Sequence, residues 1–252
     1  RNSSNFKIML DLTGKIALIA GAGTVGPGYG NGKATAVLFA RQGAKVFGTD
    51  LNLAAVEDTR AIIEKEGGEC VAHACNMTVA AEVSAMVDAC VAKFGRIDIL
   101  VNNVGGSAPG DPVAMSEEVW DTQLDHNLKT AFLGCKYVLP VMEKQGSGAI
   151  VNVSSVAGFS QQVDGRVQVG YATTKSGLMG FTQSVAMAYV KKGIRCISDF
   201  GGSRCSRLGS RSRGRSRSWL RCRGRLWLRC RSWLCYCLSS CCSSSSLRRA
   251  CR

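Results

Sequence analysis

The chain has 252 residues, 46% of them hydrophobic, enough for one large domain with a substantial core. Its net charge of +14 would suggest an anionic partner, but 14 arginines and no lysine or acid follow Asp199, so the first 199 residues balance 18 basic against 18 acidic groups and the fold itself is neutral. No stretch reaches the ~18 apolar residues of a membrane span and no charged-then-apolar leader opens the chain, so a cytoplasmic protein without membrane contact is expected.

Residues 1–8 are polar and patternless and read as a leader outside the fold; periodic sequence begins at Met9, a candidate start. From there apolar runs at 16–20, 45–49, 70–74, 97–101, 149–153 and 194–197 read as six strands, separated by helix-length amphipathic segments. In one of these, Val83, Met86, Val87, Cys90, Val91 and Phe94 keep the stripe of a helix packed on a sheet. Parallel strands need crossover helices, so the alternation predicts an α/β domain over 9–199, a doubly wound, Rossmann-type parallel sheet. Ligands of such sheets bind beyond the carboxyl ends of the strands. Cys70, Cys75, Cys90, Cys135 and Cys196 sit singly in apolar segments and are expected to be buried, reduced thiols. His73 and His126 have no partner spacing for a metal or nucleophile site, and no metal is expected.

The first strand runs into GAGTVGPGYGNG (21–32), followed by a helical segment from Lys33. A glycine-rich turn between strand and helix lets the backbone approach a pyrophosphate, which sits where the helix amino end favours anions. The next strand ends in Asp50, about 20 residues on, where a carboxylate accepts hydrogen bonds from the adenosine ribose and repels a 2′-phosphate. NAD is therefore expected over NADP. Asp50 also fits a helix cap ahead of a helix over 51–66.

Tyr171 and Lys175 stand four residues apart and share one helix face. A phenol loses its proton near pH ~10, and a neighbouring cation favours phenolate, so the pair suits proton exchange with a substrate oxygen. Ser154 and Ser155 follow the fifth strand, Asn102, Asn103 and Gly105 follow the fourth, and Asn127 lies in a helix between them. All fall at the carboxyl ends of successive parallel strands.

In this order, the motifs resemble those of the short-chain dehydrogenase/reductase family, from about Met9 to Ile197. The resemblance implies a hydride exchange between a nicotinamide cofactor and a secondary alcohol or ketone, with Tyr171 as general acid and base. It implies that Ser155 orients and polarises the carbonyl, that Lys175 binds the nicotinamide ribose and favours the tyrosinate, and that Asn127 supports a water-linked proton relay. Gly21, Gly30, Gly32, Asn103, Gly105, Tyr171 and Lys175 would contact the cofactor, and Asn76 and Met77 its adenine, with Asn76 where the family usually has Asp. A homo-oligomer is implied as well. The glycine-rich turn is about five residues longer than the usual pattern, and Ser155 to Tyr171 about three, which suggests a substrate-side insertion in 159–170.

After Ile197 the family's Pro-Gly turn, substrate lid and last strand do not appear. Residues 200–252 are rich in Arg, Ser, Cys, Trp and Leu, and three readings account for them. A shifted reading frame or misplaced splice site yields this composition. Alternatively the Arg-Ser run 210–218 with Trp219 and Trp227 contacts nucleic acid. In the third, Cys235, Cys237, Cys241 and Cys242 ligate a metal or form disulfides. With the lid replaced, a nucleotide-binding protein without turnover is the alternative to an active enzyme.

Overall fold

The computed structural model describes residues 11–26, 28–159 and 167–200. The leader 1–8 and nearly all of the tail 200–252, with its three readings, lie outside the described residues, as does most of the 159–170 insertion. The elements are β1 (Ile16–Ala20), α1 (Asn31–Arg41), β2 (Lys45–Asp50), α2 (Leu53–Lys65), β3 (Cys70–Ala74) and α3 (Ala80–Phe94). After them come β4 (Ile99–Asn102), α4 (Glu117–Leu124), α5 (Thr130–Gln145), β5 (Gly148–Val153), α6 (Val169–Tyr189) and β6 (Ile194–Asp199).

Among the described residues the strands form one parallel sheet of order β3-β2-β1-β4-β5-β6. Strand β1, Ile-Ala-Leu-Ile-Ala, is buried at all five positions because it is central and covered on both faces, whereas β6 alternates buried and exposed residues. One face carries α1 and α2 through Val37, Val56 and Ile63, packed on Ile19 and Val46. The other carries α3, α5 and α6 through Met86, Leu133, Val138 and Val185, packed on Leu18, Phe47 and Ile150. The stripe of α3 meets the core as expected, with Val83, Met86, Val87 and Cys90 buried. All five described cysteines are buried, and burial pushes the thiols of Cys70, Cys90 and Cys196 up to about 12.

Local chemistry moves two boundaries and widens one helical turn. Helix α2 is capped by Asn52, whose side chain accepts the Ala54 N–H at 3.1 Å, so Asp50 is not its cap and the helix begins at Leu53. Strand β4 begins at Ile99 rather than Ile97, because Gln145 takes both the N–H and the C=O of Ile97 (2.9 and 2.8 Å). The Asp98 carboxylate beside it accepts from Ile16 N and forks onto Arg96. Between α4 and α5 the rod passes through a π-helical turn, Asp125–Lys129, a widened turn that carries Asn127 inward. Among the described residues no helix is long and apolar enough to cross a membrane.

Candidate active site

A cleft of about 810 Å³ opens along the carboxyl ends of the parallel strands, at the switch point where β1 leads to β2 on one side and the chain returns as β4 on the other. Its first wall is the glycine-rich turn. Gly21 has φ +80°, and its carbonyl accepts the Asn103 side-chain amide at 2.9 Å. A Cβ at Gly32 would collide with that same carbonyl, so only glycine lets α1 pack onto the turn here. Gly30 is the N-cap of α1, and its N–H is held by Thr24 Oγ1 at 3.2 Å. The extra residues loop outward, with Gly26 and Gly28 at positive φ in open space and Val25 fully exposed.

Asp50 closes one end of the cleft. One carboxylate oxygen accepts Gly23 N–H and the other Asn52 N–H, both at 3.1 Å. Gly23 escaped the sequence reading, which paired Gly21 with Gly30 and Gly32. Its signal was present in the first three residues of the turn, and a Cβ there would stand 2.8 Å from Ala55 Cβ. Asn76 makes a tight turn, its amide oxygen taking the Thr78 N–H and hydroxyl (3.0 and 2.8 Å), and Met77 is buried beside the Cys75 sulfur. Asn76, Met77 and Asp50 line one end of the cleft.

The other end is built by α6, Val153 and the loop after β4. Lys175 is 3% exposed, and its Nζ donates to the Val153 carbonyl at 2.8 Å and lies 5.6 Å from the centre of the Tyr171 ring. Burial depresses its pKa to about 8. Gly105 packs against it, since a Cβ there would lie 3.2 Å from Nζ and 2.5 Å from Asn127 Oδ1. The Asn127 side chain is buried and clasps Gly106, accepting its N–H at 3.1 Å and donating to its carbonyl at 2.9 Å. It also donates to Gln123 O at 3.0 Å. Asn127 therefore shapes the cleft from behind, while its neighbours His126 and Thr130 line it.

The two serines after β5 have different surroundings. Ser154 is buried, lines the cleft and donates to the Lys175 carbonyl at 2.9 Å. Ser155 stands at the rim as the cap of the short 3-10 turn Val156–Gly158, its Oγ accepting the Ala157 N–H at 3.2 Å. Behind the site a buried polar chain ties sheet to helix. Asn102 donates to Asn152 (2.8 Å), Asn152 to Thr182 (2.9 Å), and Ser198 also to Thr182 (2.9 Å). This chain anchors the helix that carries Tyr171 and Lys175. On the outer side, Gly110 and Val167–Val169 exchange backbone hydrogen bonds of 2.9 and 3.1 Å, which pins the loop after β4 to the start of α6.

The residues present fit a dinucleotide: glycine backbone approached closely at Gly21, Gly32 and Gly105, a carboxylate at the end of β2, and in the cleft lining a buried ammonium that has no carboxylate partner among the described residues. Among the described residues no three metal-binding side chains cluster.

Comparison with known proteins agrees with this geometry. Residues 15–202 match the family model described as short chain dehydrogenase. The chain is 38% identical over 186 residues to a 3-oxoacyl-(acyl-carrier-protein) reductase of Thermotoga maritima, covering 73% of this chain and 72% of that one. It is 37% identical over 196 residues to a D-threitol dehydrogenase of Mycolicibacterium smegmatis, covering 77% and 70%. The crystal structure of a short-chain dehydrogenase/reductase from Burkholderia xenovorans superposes with a TM-score of 0.72 at 49% identity, covering 74% of this chain and 73% of that one. A Rossmann-type sheet, a nucleotide cleft at its switch point and these matches together show that the chain belongs to the short chain dehydrogenase family, oxidoreductases dependent on NAD or NADP.

Proposed function

We propose that residues 9–199 form a catalytic domain that exchanges a hydride between NAD(H) and a small secondary alcohol or ketone in the cytoplasm. The observation that carries the reading is the buried ammonium of Lys175 beside the Tyr171 ring, with no carboxylate to neutralise it among the described residues. Keeping a buried lysine charged and unpaired is costly, and the cost is repaid where negative charge builds nearby during a reaction.

Tyr171 gives its hydroxyl proton to the carbonyl oxygen in reduction and takes the alcohol proton in oxidation. Lys175 stabilises the negative charge left on the phenol oxygen, and with one N–H held by Val153 it keeps two for the ribose hydroxyls of a nucleotide. Ser155 Oγ accepts the Ala157 N–H, which leaves its own hydrogen free to donate to a substrate oxygen. Asn127 holds Gly105 and Gly106 against the lysine and backs the proton path. When bound, the nicotinamide supplies or takes up the hydride. Gly21, Gly30, Gly32 and Asn103 cradle the pyrophosphate side, and Asn76 and Met77 flank the adenine.

Asp50 supports NAD over NADP. Its carboxylate retains lone pairs for two ribose hydroxyls, and a 2′-phosphate in the same place would meet like charge. The substrate class rests on the names of the relatives, a 3-oxoacyl reductase, whose carbonyl lies within an acyl chain, and a D-threitol dehydrogenase, whose substrate carries secondary hydroxyls.

The test uses the purified full chain. NADH and NADPH are titrated by fluorescence, and turnover is followed at 340 nm with a panel of ketones and secondary alcohols. NADH binding tighter than NADPH binding, and turnover that Tyr171→Phe abolishes while the variant keeps its fold by circular dichroism, is expected. Turnover that survives Tyr171→Phe, or NADPH binding at least as tight as NADH, would overturn the reading.

A further inference from the structure

Strand order sets which part of a dinucleotide lies where in the cleft. Strands β1, β2 and β3 are successive neighbours in the sheet. With the pyrophosphate at the turn after β1 and the ribose at Asp50, the last residue of β2, the base reaches the turn after β3. There Asn76, Met77 and Thr78 line the cleft.

The Asn76 amide is oriented by its own turn. Its Oδ1 accepts the Thr78 backbone N–H at 3.0 Å and the Thr78 hydroxyl at 2.8 Å. A backbone N–H only donates, so the amide oxygen must face it, and with the hydroxyl both lone pairs of that oxygen are used. What remains of the side chain is its nitrogen, Nδ2, which finds no acceptor among the described residues. An aspartate in the same turn would give one oxygen to Thr78 and present the second, an acceptor, in place of this donor. The rest of that end is short of acceptors too. Asp50 is the only carboxylate among the described residues lining the cleft, and its oxygens already hold the N–H groups of Gly23 and Asn52. Glu82 accepts the Asn76 backbone N–H at 2.7 Å and does not line the cleft.

Purines differ in what they present at the 6-position. Adenine carries an amino group, a donor, whereas guanine and hypoxanthine carry a carbonyl, an acceptor. An amino group set against the Asn76 amide N–H brings two donors together, and a carbonyl in its place accepts the hydrogen bond. We propose that the base end of this cleft takes a 6-oxopurine dinucleotide at least as well as the adenine one, with Asn76 Nδ2 donating to the base carbonyl. Asn76 is then the residue that sets base preference. The inference rests on the nucleotide reading given above and goes beyond it in naming the base.

The full chain is titrated with NADH and with reduced nicotinamide hypoxanthine dinucleotide, both followed by dihydronicotinamide fluorescence. The two carry equal charge near neutral pH and differ only in the base, so the ratio of their Kd values isolates this contact. Wild type is expected to bind the hypoxanthine dinucleotide at least as tightly as NADH. Asn76→Asp is expected to shift the ratio toward NADH by at least about fivefold, the worth of one net hydrogen bond. Asn76→Ser keeps an oxygen for the Thr78 N–H, adds no charge beside Glu82 and withdraws the amide, so it should shift the ratio in the same direction. Circular dichroism confirms that each variant is folded. Wild type that prefers NADH, a smaller shift in folded Asn76→Asp, or no shift in Asn76→Ser would each overturn the proposal, with NADH binding still supporting the nucleotide reading. A chain that binds neither dinucleotide would overturn both.

Discussion

Replacing Lys175 by methionine removes the buried ammonium while keeping a side chain of similar length, and the structure sets what this does to stability. Burial lowers the lysine pKa from 10.5 to about 8, and at ~1.4 kcal/mol per pH unit the charged form costs the fold about 3 kcal/mol. Methionine relieves that cost but loses the hydrogen bond to Val153 O, which is worth roughly 1.5–3 kcal/mol for a charged donor. Lys175→Met at pH 7 is therefore expected to leave stability unchanged or raise it by up to about 1.5 kcal/mol, a gain of a few degrees in Tm for a domain of this size. The usual result of removing one member of a buried ion pair is a loss of about 3–5 kcal/mol. The pH dependence follows from the depressed value. Below pH 8 the folded state bears the full charging cost. Between 8 and 10.5 the unfolded chain binds more protons than the folded one, so wild-type stability rises relative to the variant. By pH 10.5 the difference should have moved toward the wild type by about 3 kcal/mol, with the methionine variant the less stable. Urea unfolding followed by tryptophan fluorescence at pH 7, 9 and 10.5 measures it, on protein free of nucleotide. A difference that does not vary with pH, or a variant destabilised by more than about 2 kcal/mol at pH 7, would refute the reasoning.

Gly32→Ala drives a methyl group into the Gly21 carbonyl, so NADH binding is expected to weaken at least tenfold and thermal stability to fall, measured by fluorescence titration and calorimetry. Asn152→Ala leaves the Asn102 amide only its weak 3.6 Å contact with Cys135 Sγ and takes a donor from Thr182 in the buried interior, at a cost of roughly 2–4 kcal/mol in urea unfolding. Unchanged stability would mean that the chain from Asn102 to Ser198 does not anchor α6. The thiols of Cys70, Cys90 and Cys196, pushed up to about 12 by burial, are expected to resist iodoacetamide at pH 8 in the folded chain and to react once urea is added, as read by peptide mass spectrometry.

Much of this architecture was legible because the signals are local. A run such as Ile16–Ala20, five apolar residues stopped by the glycine-rich turn, is too short for a helix and fits a strand covered on both faces, and the α3 stripe left one orientation of that helix on the sheet. The site was legible as chemistry: Tyr171 and Lys175 one helical turn apart, Asp50 at the end of β2, glycines where backbone must come close. What escaped depends on long-range partners. That β4 starts two residues late follows from Gln145, 48 residues from Ile97, which no pattern near Ile97 reveals. The π-helical turn shifts the helical phase by one residue between α4 and α5, and its cause is partly distant, since Asn127 is held inward by Gly106. Which of two adjacent serines lines the cleft depends on the backbone phase after β5, because neighbouring side chains on extended backbone point opposite ways. Similarly, the lengthened turn hid the role of Gly23, because spacing alone cannot say which glycines face inward when extra residues loop out.

The strand order also bears on how the molecule is made. The centre of the sheet joins β1 to β4, Ile16 to the region of Asp98, across 82 residues of chain, while β2 and β3 add to the other side of β1. Closing so long a loop is entropically slow, and parallel pairings of this kind belong to domains that fold on the millisecond-to-second scale. The Gly21–Asn103 hydrogen bond spans the same closure. The nucleotide cleft thus comes into being only when the two halves of the sheet meet. In a refolding experiment, recovery of NADH binding would time the completion of the fold and lag behind the appearance of helix.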